Sequence, residues 1–169
     1  KLPIYKELGM TYHGGSDWLA SDGMPIYFDC SIGGFVLNTE IDNKGGLGIN
    51  IITESEEGIF KHRYWHLQKF NVVAGQTVES ADLIGWADNT GLSSGSHLHR
   101  DMKEMTKENG VFKIKYPTNG TFGTIDYEKW FENIWIVDKM EYLKKKVEIL
   151  TAQVSIWQKI INLLNTWIF

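Results

Sequence analysis

The sequence predicts a mainly β fold, an antiparallel sheet followed by one long C-terminal amphipathic α-helix. Two contrasts in texture carry that reading. Residues 1–136 hold all 17 glycines and all three prolines, which punctuate short apolar runs rich in β-branched and aromatic residues. Many short strands with little helical periodicity favour an antiparallel β architecture. After Asp138 the glycines and prolines stop, and apolar residues recur at alternating steps of three and four, the seam of a packed helix. The expected organisation is one domain over 1–136 and a helix over 137–169.

Each element has its own signal. The apolar runs place strands at Pro25–Phe28, Gly34–Thr39, Gly48–Thr53, Ile59–Leu67, Thr77–Trp86, His97–Met102 and Val111–Lys115. Asn43-Lys44-Gly45-Gly46, Asn89-Thr90-Gly91 and Ser93-Ser94-Gly95 are turn material between them. In the last segment Met140, Leu143, Val147, Leu150, Val154, Trp157, Ile161, Leu164 and Ile168 form an a/d heptad seam. A second stripe (Ile149, Ile156, Ile160, Leu163, Trp167) runs beside it. Such a two-seam helix joins a multi-helix bundle of sister chains, as a coiled coil, or lies along its own domain, so residues 140–169 are the expected oligomerisation or docking surface. Lys159, Asn162 and Asn165 make it a poor membrane span, while lying on a membrane surface stays open.

Composition narrows the function classes. With 43% hydrophobic and 22% charged residues, the 169-residue chain reads as globular and long enough to bury a substantial core. A net charge of −4 without a basic block gives no reason to expect a nucleic-acid partner. The lone Cys30 excludes an internal disulfide and leaves the compartment open. The chain opens K-L-P-I-Y, with no charged-then-apolar leader in view, so localisation has to follow from function.

Chemistry concentrates in three strings: H-G-G-S-D at 13–17, Y-W-H-L at 64–67 and H-L-H at 97–99. They hold four of the five histidines. Two imidazole nitrogens and one carboxylate oxygen make a three-ligand zinc shell with an open fourth position, and two further imidazoles could shuttle protons. In His97-Leu98-His99 both rings project from one strand face, because side chains alternate with period two. One can bind metal while the other reaches the adjoining substrate position. Gly14 and Gly15 let a loop fold back so that His13 and Asp17 converge on one ion. His66 ends an alternating strand on which His62, Tyr64 and His66 share a face, and suits acid–base chemistry. His62, roughly 13 Å further along an extended strand, is expected to be peripheral.

The order of these strings, with what lies between them, resembles the lysostaphin/LytM-type zinc endopeptidases of bacterial cell walls. The likeness runs from Tyr12 to Lys103. It includes H-x-G-x-D (His13 to Asp17), Gly23-Met24-Pro25-Ile26-Tyr27, the turn and strand Gly33 to Val36, Gly48 to Ile51, and Tyr64 to Leu67. It continues through Val73-Ala74-Gly75-Gln76-Thr77-Val78, Leu83-Ile84-Gly85, and T-G-x-S-x-G-x-H-L-H at Thr90 to His99. The resemblance implies an antiparallel LytM-like sheet whose loops wall a groove. It also implies zinc held by His13, Asp17 and His99, with His66 and His97 as the unliganded catalytic pair. One departure is Arg100, where the family carries an aromatic or aliphatic residue. A buried guanidinium there needs a partner, from Asp101, Glu104 or an acid elsewhere, unless the strand end is exposed.

The function expected on this basis is zinc-dependent hydrolysis of peptide bonds in peptidoglycan. The expected location is extracellular or in the cell envelope, with carriage on a virion included. The alternative is a non-catalytic LytM-like module that binds wall peptides or activates another hydrolase. A structural role, with the helix anchoring the chain in a larger assembly, is compatible with the first.

Overall fold

The computed structural model describes residues 9–126 and, beyond them, 147, 151, 154, 155, 157 and 158. The nine described strands are β1 (Ser16–Leu19), β2 (Pro25–Tyr27), β3 (Gly34–Asp42), β4 (Gly46–Ser55), β5 (Gly58–Phe70), β6 (Thr77–Val78), β7 (Leu83–Ala87), β8 (His97–Glu108) and β9 (Val111–Ile114). They form one sheet in the order β1-β8-β5-β4-β3-β6. The β2–β7 ribbon joins at β5, and β9 pairs with β8. All pairings are antiparallel, as the strand texture predicts.

The sheet is built on period-two alternation, with one face closed by the β2–β7 ribbon. Val36, Ile49, Ile51, Leu67, Ile84 and Phe28 are fully buried in that layer. Central β4 carries Ile52 buried as well, and with it the polar Asn50, so both faces of this strand are covered. The opposite face is polar and carries Asp17, Trp65 and His99, which the registers Asp17↔His99 and Trp65↔His99 set side by side.

Two expectations change and one strand is added. The run 77–86 is two strands: the Asp82 carboxylate accepts from Glu79 N at 2.8 Å and Ala81 turns at φ 66°, which reverses the chain at 79–82. β1 carries no apolar signal, since Leu19 is 99% exposed; it is a strand because β8 offers it a paired edge. Finally, His66 does not share a face with His62 and Tyr64. Trp65 and His66 stand together opposite the single Gly48, a β-bulge, and His66 takes φ 63°.

The chain divides into two units, 1–130 and 131–169. In the second, the six described residues are helical, and Thr151 Oγ1 donates to the Val147 carbonyl at 2.7 Å. The length of the predicted helix, its heptad seam over 140–168 and the boundary at 136/137 lie outside the described residues. Among those described, no helix is long and apolar enough to cross a membrane.

Candidate metal centre and active site

Of the five residues singled out in the sequence, His13, His97 and His99 meet at the Asp17 carboxylate, and His66 stands against two of those rings. Asp17 Oδ1 lies 2.9 Å from His99 Nδ1, 3.4 Å from His13 Nε2 and 3.6 Å from His97 Nε2. The His66 ring stands 4.6 Å from that of His97 and 6.1 Å from that of His99. β8 contributes His97 and His99, β1 contributes Asp17, the loop before β1 contributes His13, and the β5 bulge turns His66 inward. Gly15 makes the loop approach possible: at φ 137°, a Cβ there would meet the Arg100 carbonyl at 2.7 Å.

His13, Asp17 and His99 each offer one donor atom to a common point. His13 Nε2 and His99 Nδ1 are 3.0 Å apart, so the three donor atoms are separated by 2.9, 3.0 and 3.4 Å. A tetrahedral zinc with bonds of about 2.0–2.1 Å needs donors ~3.3 Å apart. The donor set, two nitrogens and one carboxylate oxygen, therefore fits zinc in chemistry and in size.

The second nitrogen of the His99 ring is committed elsewhere. His99 Nε2 faces the buried Asp101 carboxylate at 3.3 Å, the carboxylate–histidine support typical of metal ligands. Burial works against a charge on His99, but its hydrogen bonds with Asp101 and Asp17 raise it to about 9; a cation at Nδ1 displaces that proton. Burial also opposes the Asp17 carboxylate, yet the His99 hydrogen bond and the surrounding imidazoles hold it below its usual range. His13 is lowered chiefly by burial.

His66 and His97 share a different pattern. His66 Nδ1 lies 2.7 Å from the Thr90 carbonyl and His97 Nδ1 lies 2.8 Å from the Gly95 carbonyl. A carbonyl can only accept, so Nδ1 carries a hydrogen in both rings and Nε2 is left for chemistry, a lone pair in the neutral ring and a donor in the protonated one. Burial lowers His66, with the neighbouring imidazoles adding to it and the Thr90 hydrogen bond opposing. A cleft of ≈ 340 Å³, lined by residues 12–16 and 124–126, opens beside His13.

Two questions raised by the sequence are answered on the far side of β8. Arg100 is buried, and its partner is Asp29: Nη2 donates to Oδ1 at 2.9 Å and Nε to Oδ2 at 3.3 Å. Asp101 helps through its backbone carbonyl, 2.9 Å from Nη1, while its side chain serves His99; Glu104 pairs with Lys115. His62 is apart from the metal centre as expected, yet it is wholly buried, accepting from Arg100 at 2.9 Å. Tyr64 Oη donates to Asp29 Oδ1.

Sequence reasoning missed Asp101 and Thr90 as supports. Period two from His99 points to the first. Thr90 opens the T-G-x-S-x-G-x-H-L-H string, but its residue type does not announce the role of its backbone carbonyl, which orients His66 while the hydroxyl ties the Leu67 carbonyl to the Leu47 amide.

Residues 11–111 match peptidase family M23. The chain belongs to peptidase family M23. Among M23 relatives, it is 34% identical over 87 residues to the glycyl-glycine endopeptidase ALE-1 of Staphylococcus capitis, covering 52% of this chain and 23% of that protein. It is 27% identical over 141 residues to the peptidoglycan DD-endopeptidase ShyA of Vibrio cholerae, covering 83% and 31%. The catalytic domain of lysostaphin from Staphylococcus simulans superposes with a TM-score of 0.51 at 28% identity, covering 64% of this M23 chain and 81% of that domain. The chain spans under a third of the length of these two curated relatives.

Proposed function

We propose that this chain is a zinc-dependent endopeptidase that hydrolyses peptide bonds of peptidoglycan, acting outside the cell or in its envelope. The observation that carries the reading is the convergence of His13, Asp17 and His99 on one point, with the Nε2 atoms of His66 and His97 at its border. M23 membership supports the chemistry, and the names of ALE-1 and ShyA support the substrate class.

His13 Nε2, Asp17 Oδ1 and His99 Nδ1 would hold the metal. Zinc bound there supplies a Lewis acid and lowers the pKa of a water to around 7. His66, kept neutral by burial with its Nε2 lone pair turned inward, accepts the proton of the attacking water. His97, its Nδ1–H held by the Gly95 carbonyl, acts in its doubly protonated form: Nε2–H donates to the developing oxyanion and passes its proton to the leaving amine. Asp101 fixes the His99 ring, and Thr90 fixes that of His66. Both catalytic nitrogens are oriented by backbone carbonyls, so little reorganisation accompanies the reaction.

Zinc content by elemental analysis, together with release of new amino termini from purified peptidoglycan, tests this reading. Stoichiometric zinc and chelator-sensitive release are expected. A chain that takes up zinc and binds wall without releasing termini would be a binding module instead.

A further inference from the structure

The sheet face that carries Asp17 and His99 continues beyond them as a row of polar side chains. Register sets Asn38, Asn50, Arg63 and Asp101 opposite one another across β3, β4, β5 and β8. That row lies two residues along from His99 and Trp65, with Lys61 and Lys103 paired beyond it. It is incompletely satisfied. Asn50 Oδ1, Arg63 Nε, Trp65 Nε1 and Asp101 Oδ1 are buried without a hydrogen-bond partner among the described residues. Buried polar groups are nearly always partnered, so a cluster of exceptions calls for a reason.

Charge is unbalanced here too. Arg63 lies 5.0 Å over the Trp65 ring, with Nε 3.6 Å from Asp101 Oδ2, the same oxygen that faces His99. Its guanidinium makes no hydrogen bond among the described residues, and 21% of the side chain stays exposed. Lys61 has neither hydrogen bond nor ion pair among them. Lys103 donates only to the Phe122 carbonyl, at 2.6 Å. Three cations therefore face two carboxylates, Asp101 and Glu40, the second also held by Asn38 at 2.8 Å. Burial, and then the Arg63 charge, lower Lys61, and the same causes bring Lys103 to about 8. Like charges crowded beside a catalytic centre mark a place for an anion.

We propose that Arg63, with Lys61 beside it, forms a subsite for a carboxylate of the substrate peptide, one row along the sheet face from the candidate metal centre. The inference rests on the peptidase reading above. Successive rows on one face are two residues, or roughly 6.8 Å, apart, so the carboxylate belongs to a residue within about two of the scissile bond. A guanidinium fork grips a carboxylate through two parallel hydrogen bonds.

The test uses the zinc-loaded full chain and pentaglycyl peptides in which one glycine at a time is replaced by Glu or by Gln. Binding is followed by calorimetry and cleavage by mass spectrometry. At one position Glu is expected to bind and cleave about ten-fold better than Gln, the scale of one charge-assisted pair. In Arg63→Gln that preference falls to within about two-fold, and in Arg63→Lys part of it survives. Zinc content and thermal unfolding identify a variant that has lost its fold, and Lys61→Gln, which should weaken the same preference, then replaces it. A Glu preference in binding with no cleavage would keep the subsite and remove the peptidase reading. No preference for Glu at any position, or one that persists in folded Arg63→Gln, overturns the subsite.

Discussion

At the scale of single residues, the two histidines of H-L-H differ only in which nitrogen each turns inward. His99 presents Nδ1 because Asp101 faces its Nε2, and His97 presents Nε2 because the Gly95 carbonyl holds its Nδ1. Replacing His97 with Ala is therefore expected to abolish cleavage with zinc retained, whereas His99→Ala loses the metal. Equal zinc content in the two variants would overturn the division of roles. The protonation state of His66 sets a second expectation. Burial lowers its pKa below the ordinary 6.5, so the base form persists into mild acid. In a pH profile of kcat/KM the acid limb should fall below pH 6.5, and a limb above 7 would exclude His66 as the base. The identity of these groups was legible in the strings that carry them. Their tautomers were not, because Thr90 and Gly95 act through backbone carbonyls that have no residue signature.

At the scale of elements, the strands on the core side were readable because alternating apolar residues dictate one buried face. β1 and the bend in β5 were not, since both arise from pairing with distant chain. The bend depends on a tight contact between two turns. Gly46 and Gly91 both have positive φ, and a Cβ on Gly91 would lie 2.3 Å from Gly46 N. This contact seats Thr90 against both Leu47 and His66. Gly91→Ala is expected to destabilise the protein by about 1–3 kcal/mol and to lower kcat more than it changes KM. The three proposed metal donors lie elsewhere, so zinc content should stay full. Urea unfolding, elemental analysis and steady-state kinetics check the three parts separately, and unchanged kcat would show that Thr90 does not position His66.

For the whole molecule, the sequence exposed a conflict at Arg100 without revealing its solution, because Asp29 is far away in the chain and adjacent only once β2 folds over β8. The solution has a pH signature. Arg100 donates to His62 Nδ1, so that ring must stay neutral, and burial together with the Arg100 charge lowers His62 to about 3. Between about pH 3 and 6.5 the unfolded chain binds a proton there that the folded chain refuses. Stability therefore falls as pH drops through that window, by about 1.4 kcal/mol per unit from this group. Urea unfolding at pH 6.5 and 4.5 should show a shallower loss in His62→Gln, and equal slopes would refute the assignment. The same strand holds a safeguard. Along β8, odd positions 97, 99 and 101 meet the candidate metal centre, and even positions 98, 100 and 102 meet the core. Sliding that strand by a single residue would thrust a guanidinium at the proposed cation site and strand an imidazole among aliphatic side chains. Misaligned pairings are thus penalised twice over, and a correctly threaded β8 is the arrangement in which both sides of the sheet are content.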